Sequence, residues 1–149
     1  MSTVTGVDVR GPRFAAWVTT VVLVATLILS GVSSTAAAVA LGGQAVVFAI
    51  GVLSGPRRHP YGLVFTRLVR PRLAPATEWE PAPPLKFAQL VGLVFAVVGV
   101  AGFVAAPAVG VVATAFALAA AFLNAAFGIC LGCQLYPLVA RLRRVTASI

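Results

Sequence analysis

The stretch from Phe87 to Phe127, FAQLVGLVFAVVGVAGFVAAPAVGVVATAFALAAAFLNAAF, decides the fold. It holds no charged residue, and its one proline, Pro107, splits it into two runs, Phe87–Ala106 and Ala108–Phe127, each of 20 residues. At a helical rise of about 1.5 Å per residue such a run spans about 30 Å, the thickness of a bilayer hydrocarbon core. Two more charge-free windows of the same length, Phe14–Ser33 and Thr35–Ser54, lie nearer the N-terminus. A chain in lipid must satisfy its backbone hydrogen bonds internally, and the short alternating segments of a barrel are missing. The sequence therefore predicts an all-α membrane protein, a single domain over residues 1–149. Its transmembrane helices fall at about 14–33, 35–54, 87–106 and 108–127 or longer, with a connection over 55–86.

Composition agrees. Of 149 residues, 60% are hydrophobic and 14 are charged, with a mean hydropathy of +1.04. A soluble domain carries about a quarter of its residues charged, and disorder needs low hydrophobicity, so both classes are excluded. Ser33-Ser34 and Ala106-Pro107 leave room only for tight turns, so the helices pair as two hairpins. All eleven basic residues lie at the other ends: Arg10 and Arg13, then Arg57, Arg58, Arg67, Arg70, Arg72 and Lys86, then Arg141, Arg143 and Arg144. By the positive-inside rule both termini and the middle connection are cytoplasmic, in the plasma (inner) membrane. The first apolar run is longer than a usual signal-peptide core, so the first helix is read as retained. The +8 charge is an orientation signal that also attracts anionic head groups. No nucleic-acid motif accompanies it.

The two halves resemble each other. Arg13-Phe14-Ala15-Ala16-Trp17-Val18 opens the first pair and Lys86-Phe87-Ala88-Gln89-Leu90-Val91 the second. Tyr61-Gly62-Leu63-Val64-Phe65-Thr66-Arg67-Leu68 leaves the first and Tyr136-Pro137-Leu138-Val139-Ala140-Arg141-Leu142 the second. A parallel duplication and the common composition of membrane flanks both account for the match. Both exits read as short amphipathic helices on the membrane surface, with Tyr61, Val64, Phe65 and Leu68 on one face. Pro71 to Pro84 reads as extended, with Trp79 at the interface. Within the spans Gln44, Thr114 and Asn124 are polar. They fit interhelical hydrogen bonding better than a substrate path, because ion and proton paths use ionisable groups. Gly92, Gly99, Gly102, Gly42-Gly43 and the alanine runs allow close helix approach within the bundle or in a homo-oligomer.

The reactive feature is Cys130-Leu131-Gly132-Cys133, holding the chain's only two cysteines. A helix continued to Tyr136 would put both sulfurs on one face, with a break expected at Pro137. A Cys-x-x-Cys pair can cycle between dithiol and disulfide, or accept sulfane sulfur as a persulfide. Palmitoylation and plain packing are the other readings. A structural zinc site takes four ligands and His59 is the only histidine, so no metal is expected from one chain. A reducing cytoplasm disfavours a static disulfide. Aligning the half-repeats puts Arg58 opposite Cys133, so Arg57, Arg58 and His59 become candidates to stabilise a thiolate or bind an anionic sulfur substrate. No haem, quinone or nucleotide motif is recognisable, and no cofactor is expected.

Val7-Asp8-Val9-Arg10-Gly11-Pro12-Arg13-Phe14, Arg70-Pro71-Arg72-Leu73 with Glu78 and Glu80, Lys86-Phe87-Ala88-Gln89, and Cys130-Leu131-Gly132-Cys133-Gln134-Leu135-Tyr136 together resemble the actinobacterial integral-membrane family catalogued as domain of unknown function 4395. The resemblance covers nearly the whole chain. Members often carry an acidic residue after the second cysteine, where this chain has Gln134. The resemblance implies thioredoxin-like proteins or rhodanese-type sulfurtransferases as partners. The expected function is thiol/disulfide exchange or sulfane-sulfur relay through Cys130 and Cys133. Its rivals are a structural subunit of a larger membrane complex and a small transporter for a sulfur-containing anion.

Overall fold

A computed structural model describes residues 7–55, 58–80 and 82–148. In chain order the elements are β1 (Val7–Asp8), α1 (Arg10–Ser30), α2 (Ser34–Ser54), α3 (Pro60–Val64), β2 (Trp79–Glu80), α4 (Ala82–Ala105), α5 (Pro107–Phe127) and α6 (Leu131–Ser148). A π turn over Phe65–Val69 and a 3-10 turn over Arg70–Arg72 prolong α3. Four of the helices, α1, α2, α4 and α5, are long and apolar enough to cross a membrane.

Local chemistry sets their ends. Ser33 caps α2 by accepting the Ala36 N–H at 3.2 Å, satisfying a donor that the first turn leaves free. Pro107 opens α5, where a missing N–H costs nothing. The helices begin earlier than the charge-free windows: α1 takes in Arg10 and Arg13, and α4 takes in Lys86. Arginine and lysine are good helix formers whose long stems let the charge reach water, so charge marks where apolar surface begins rather than where the helix does.

The long helices form a closed ring of neighbours. α1 packs on α2, α2 on α4, α4 on α5, and α5 back on α1, while α6 lies chiefly against α4. Leu23, Leu41, Phe48, Ala96, Phe103 and Ala117 make the core. Contact is backbone-close where α4 meets α5, since a Cβ at Gly102 would overlap the backbone of Gly110. The outer surface is apolar. Val32, Leu53 and Val104 are 86%, 82% and 77% exposed, as suits helices solvated by lipid. After α2 comes the α3 run, in which Phe65 is buried against Phe14 (ring centroids 5.8 Å apart) while Val64 and Leu68 are exposed, so the four residues expected on one face do not share one environment.

The middle connection is tied to the N-terminus. β1 pairs antiparallel with β2, Val7 opposite Glu80 and Asp8 opposite Trp79. Arg10 binds the Asp8 carboxylate at 2.8 Å and donates to the Ala74 carbonyl at 2.9 Å. Residues 73–78 are without helix, but Pro71 falls in the 3-10 turn and Pro83 and Pro84 in the first turn of α4, where a missing N–H costs nothing, so the extended stretch is shorter than the Pro71–Pro84 expected.

Gly102→Ala is expected to destabilise the bundle by about 1–3 kcal/mol, the usual cost of overpacking. Thermal unfolding in detergent, with exposed Val104→Ala as an unchanged control, measures it.

Candidate functional site

The chain breaks its helix just before the cysteines. Gly128 takes a left-handed conformation (φ 71°), its N–H bonds the Asn124 carbonyl at 3.0 Å, and α5 ends at Phe127. Helix restarts at Leu131 and runs through Pro137 to Ser148. This corrects the expectation of a helix continuing to Tyr136 and breaking at Pro137. Glycine reaches the left-handed region at no steric cost, whereas Pro137 falls in the second turn of a new helix and removes one hydrogen bond there.

Cys130 consequently precedes the first residue of α6 and caps it. Its Sγ accepts the Cys133 N–H at 3.2 Å and its carbonyl accepts the Gln134 N–H at 3.0 Å. The Sγ atoms of Cys130 and Cys133 lie at disulfide-bonding distance, with Cα atoms 5.2 Å apart, and both residues are half-buried. Between them Gly132 is pressed on α4: a Cβ there would sit 2.7 Å from Ala88 Cα. Tyr136 meets Phe87 one turn further on, ring centroids 6.0 Å apart. Close contact with α4 thus fixes the thiol-bearing turn.

One cavity adjoins it, and a second shares part of that cavity's wall. The smaller, about 110 Å³, is lined by Cys130, Asn124 and Phe48, among others. The larger, about 450 Å³, is lined by Asp8, His59, Phe65, Arg70 and Trp79, among others. Pro12, Ala15, Leu85 and Gln89 belong to both walls.

His59 is 3% exposed. Its Nδ1 accepts the Tyr61 N–H at 3.2 Å, so the ring proton belongs on Nε2, which donates to Gln89 Oε1 at 3.1 Å. Burial pushes its pKa below the ordinary 6.5, only partly offset by the Gln89 bond. His59 is a neutral donor, because desolvation disfavours the charged ring. Arg58 is exposed and lines neither cavity. Arg57 lies outside the described residues.

The polar residues of the spans divide. Gln44 is buried and accepts the Tyr61 hydroxyl at 2.8 Å, while its Nε2 has no partner among the described residues. Thr114 donates to the Gly110 carbonyl of its own helix at 2.8 Å, which corrects the interhelical expectation for that residue. A threonine hydroxyl reaches the carbonyl one turn back without any neighbour's help. Asn124 lines the smaller cavity. Sequence reasoning missed Gln89 and the pairing of Tyr61 with Gln44. Gln89 did carry a signal, being the one polar side chain between Phe87 and Ala106.

A ring of four apolar helices with a Cys-x-x-Cys pair capping a fifth long helix defines a helical protein of membrane type. The chain belongs to the family described as "Domain of unknown function (DUF4395)", whose model matches residues 7–141. No significant match was found among curated proteins or among solved structures.

A neutral buried histidine makes stability fall with acid. The unfolded state takes up a proton near pH 6.5 and the folded state resists, so stability is full above that pH and declines as pH drops toward the lower folded value. Asp8, held below its ordinary 3.8 by its hydrogen bonds to Arg10, stays ionised across this range. Melting temperatures at pH 7.5 and about 5.5 are expected to differ for the natural protein and to converge for His59→Gln.

Proposed function

We propose that this protein is a membrane-embedded thiol/disulfide exchanger, with Cys130 as the attacking thiol and Cys133 as the resolving one. The observation that carries the reading is Cys130 Sγ capping α6, within bonding distance of Cys133 Sγ. A helix N-terminus favours negative charge and so favours the thiolate, the nucleophilic form. Cys133, in the first turn of that helix, supplies the second sulfur.

In the reaction, Cys130 thiolate attacks a disulfide of a soluble partner and releases one partner thiolate, forming a mixed disulfide. Cys133 thiolate then attacks Cys130 Sγ, closing the internal disulfide and leaving the partner as a dithiol. Thioredoxin-like proteins and sulfurtransferases are the partner classes this chemistry suits. The four apolar helices support a lipid setting. The positive-inside rule supports cytoplasmic termini, and with them a cytoplasmic thiol pair, since the basic residues flank the same helix ends. On this reading the helices form two hairpins related by duplication. The α3 run and α6 lie along the membrane surface, where their arginines meet head groups. Arg57 and Arg58 contribute general positive potential at that face.

Cys133→Ser is expected to accumulate a mixed disulfide on Cys130 in cells, released by reductant and identifiable by mass spectrometry. Cys130→Ser should accumulate none. A persulfide on Cys130 in place of a protein adduct would turn the assignment to sulfane-sulfur relay. Absence of any adduct, with unchanged behaviour of the double serine variant, would favour a structural subunit.

A further inference from the structure

We propose that the larger cavity is a binding site for one anionic phospholipid, taken from the bilayer leaflet beside it. The site lies apart from the thiol chemistry. No cysteine lines it, so the inference stands whether or not Cys130 and Cys133 exchange disulfides.

The cavity differs in character between floor and rim. At about 450 Å³ it falls within the range of small-molecule sites. Gly11, Ala15, Phe65 and Leu85 are buried and give an apolar floor. Thr66, Arg70 and Trp79 are exposed and form the rim. Apolar inside and polar outside is the order of an amphiphile's tail and head. The walls come from the starts of α1 and α4, where the apolar spans begin, which puts the rim at head-group level. An indole is favoured at that level, and Trp79 supplies one.

Charge selects the kind of head. Asp8 lines the cavity, but its carboxylate is spent on Arg10: Nη2 donates to it at 2.8 Å, Nε at 3.1 Å and the backbone N–H at 3.0 Å. A choline or ethanolamine head therefore finds no free anion there. Arg70 makes no ion pair among the described residues, so Asp8, Arg10 and Arg70 together leave one positive charge at the rim. A phosphate diester carries the single negative charge that matches it. Deeper in, both ring nitrogens of His59 are occupied, by the Tyr61 N–H and by Gln89. Gln89 keeps two N–H donors after its oxygen accepts from His59. A glycerol ester carbonyl, the next polar group below a phosphate, is an acceptor suited to them. A soluble anion would leave the apolar floor in water, whereas an acyl chain covers it.

The test uses the full chain with Trp17→Phe, which leaves Trp79 as its one tryptophan, in nanodiscs of phosphatidylcholine. Quenching of Trp79 is followed as phosphatidylglycerol with brominated acyl chains replaces a growing share of the lipid, and separately as brominated phosphatidylcholine does. Phosphatidylglycerol is expected to saturate the quenching at a mole fraction about fivefold lower, the worth of one arginine beside an anionic head group. Native mass spectrometry from detergent should find one phosphatidylglycerol retained per chain. Arg70→Gln should erase both signals, whereas Arg67→Gln, exposed and outside the cavity, should keep them. Equal losses in the two variants would mean diffuse attraction to a basic face, which overturns the site. Equal quenching by the two lipids would overturn it as well. So would displacement of the brominated lipid by glycerol phosphate, since a soluble anion would then own the site. The exchange reading survives each of these failures, because its own test is the adduct on Cys130.

Discussion

A helix surrounded by hydrocarbon gains nothing by hiding one apolar side chain against another, because lipid solvates both equally well. Shape complementarity and internally satisfied polar groups must hold such helices together. The ring of α1, α2, α4 and α5 shows both. Gly102 against Gly110 brings backbones together where larger residues would hold them apart. Thr20, Thr26 and Thr114 turn their hydroxyls back onto carbonyls of their own helices, at 2.7, 2.9 and 2.8 Å. Valines and leucines that a soluble protein would bury face outward instead.

Among the described residues, cross-element hydrogen bonds involve chiefly the α3 run and the helix ends beside it, with one reaching mid-span at Gln44. Tyr61 reaches Gln44 of α2, His59 reaches Gln89 of α4, and Arg13 of α1 donates to the Ala125 carbonyl near the end of α5 at 3.2 Å. The β1–β2 pair closes the same region by joining the start of the chain to the middle connection. Directional bonds are strong where water is scarce, so this end is held more specifically than the rest of the bundle. Cys130 lines a cavity that shares Gln89 with the one His59 lines.

How much of this could be read from residues alone follows a physical divide. Absence of charge over about 20 residues is a local property, and it located each of the four apolar helices. The cysteine pair was legible for the same reason, since spacing is a one-dimensional quantity. Features that depend on which helix neighbours which were out of reach. Gln89 gains its meaning from His59, thirty residues earlier, and Tyr61 from Gln44. The break at Gly128 was missed because Pro137 looked like the stronger breaker. A proline in the second turn costs one bond, while a glycine free to turn left-handed can end a helix outright. Cationic help for the thiols was inferred from repeat alignment. His59 turned out to be buried and hydrogen-bonded, a property of the packed state alone.

That break at Gly128 divides the architecture into two mechanical parts. The four spans close on themselves without α6, whose main attachment is to α4. Both cysteines lie after the break, on a segment that does not continue the helix of α5. The molecule is therefore a lipid-solvated frame with a thiol-bearing module appended. The contact of Gly132 with Ala88 couples the two parts, so any side chain added there shifts the sulfurs relative to the frame.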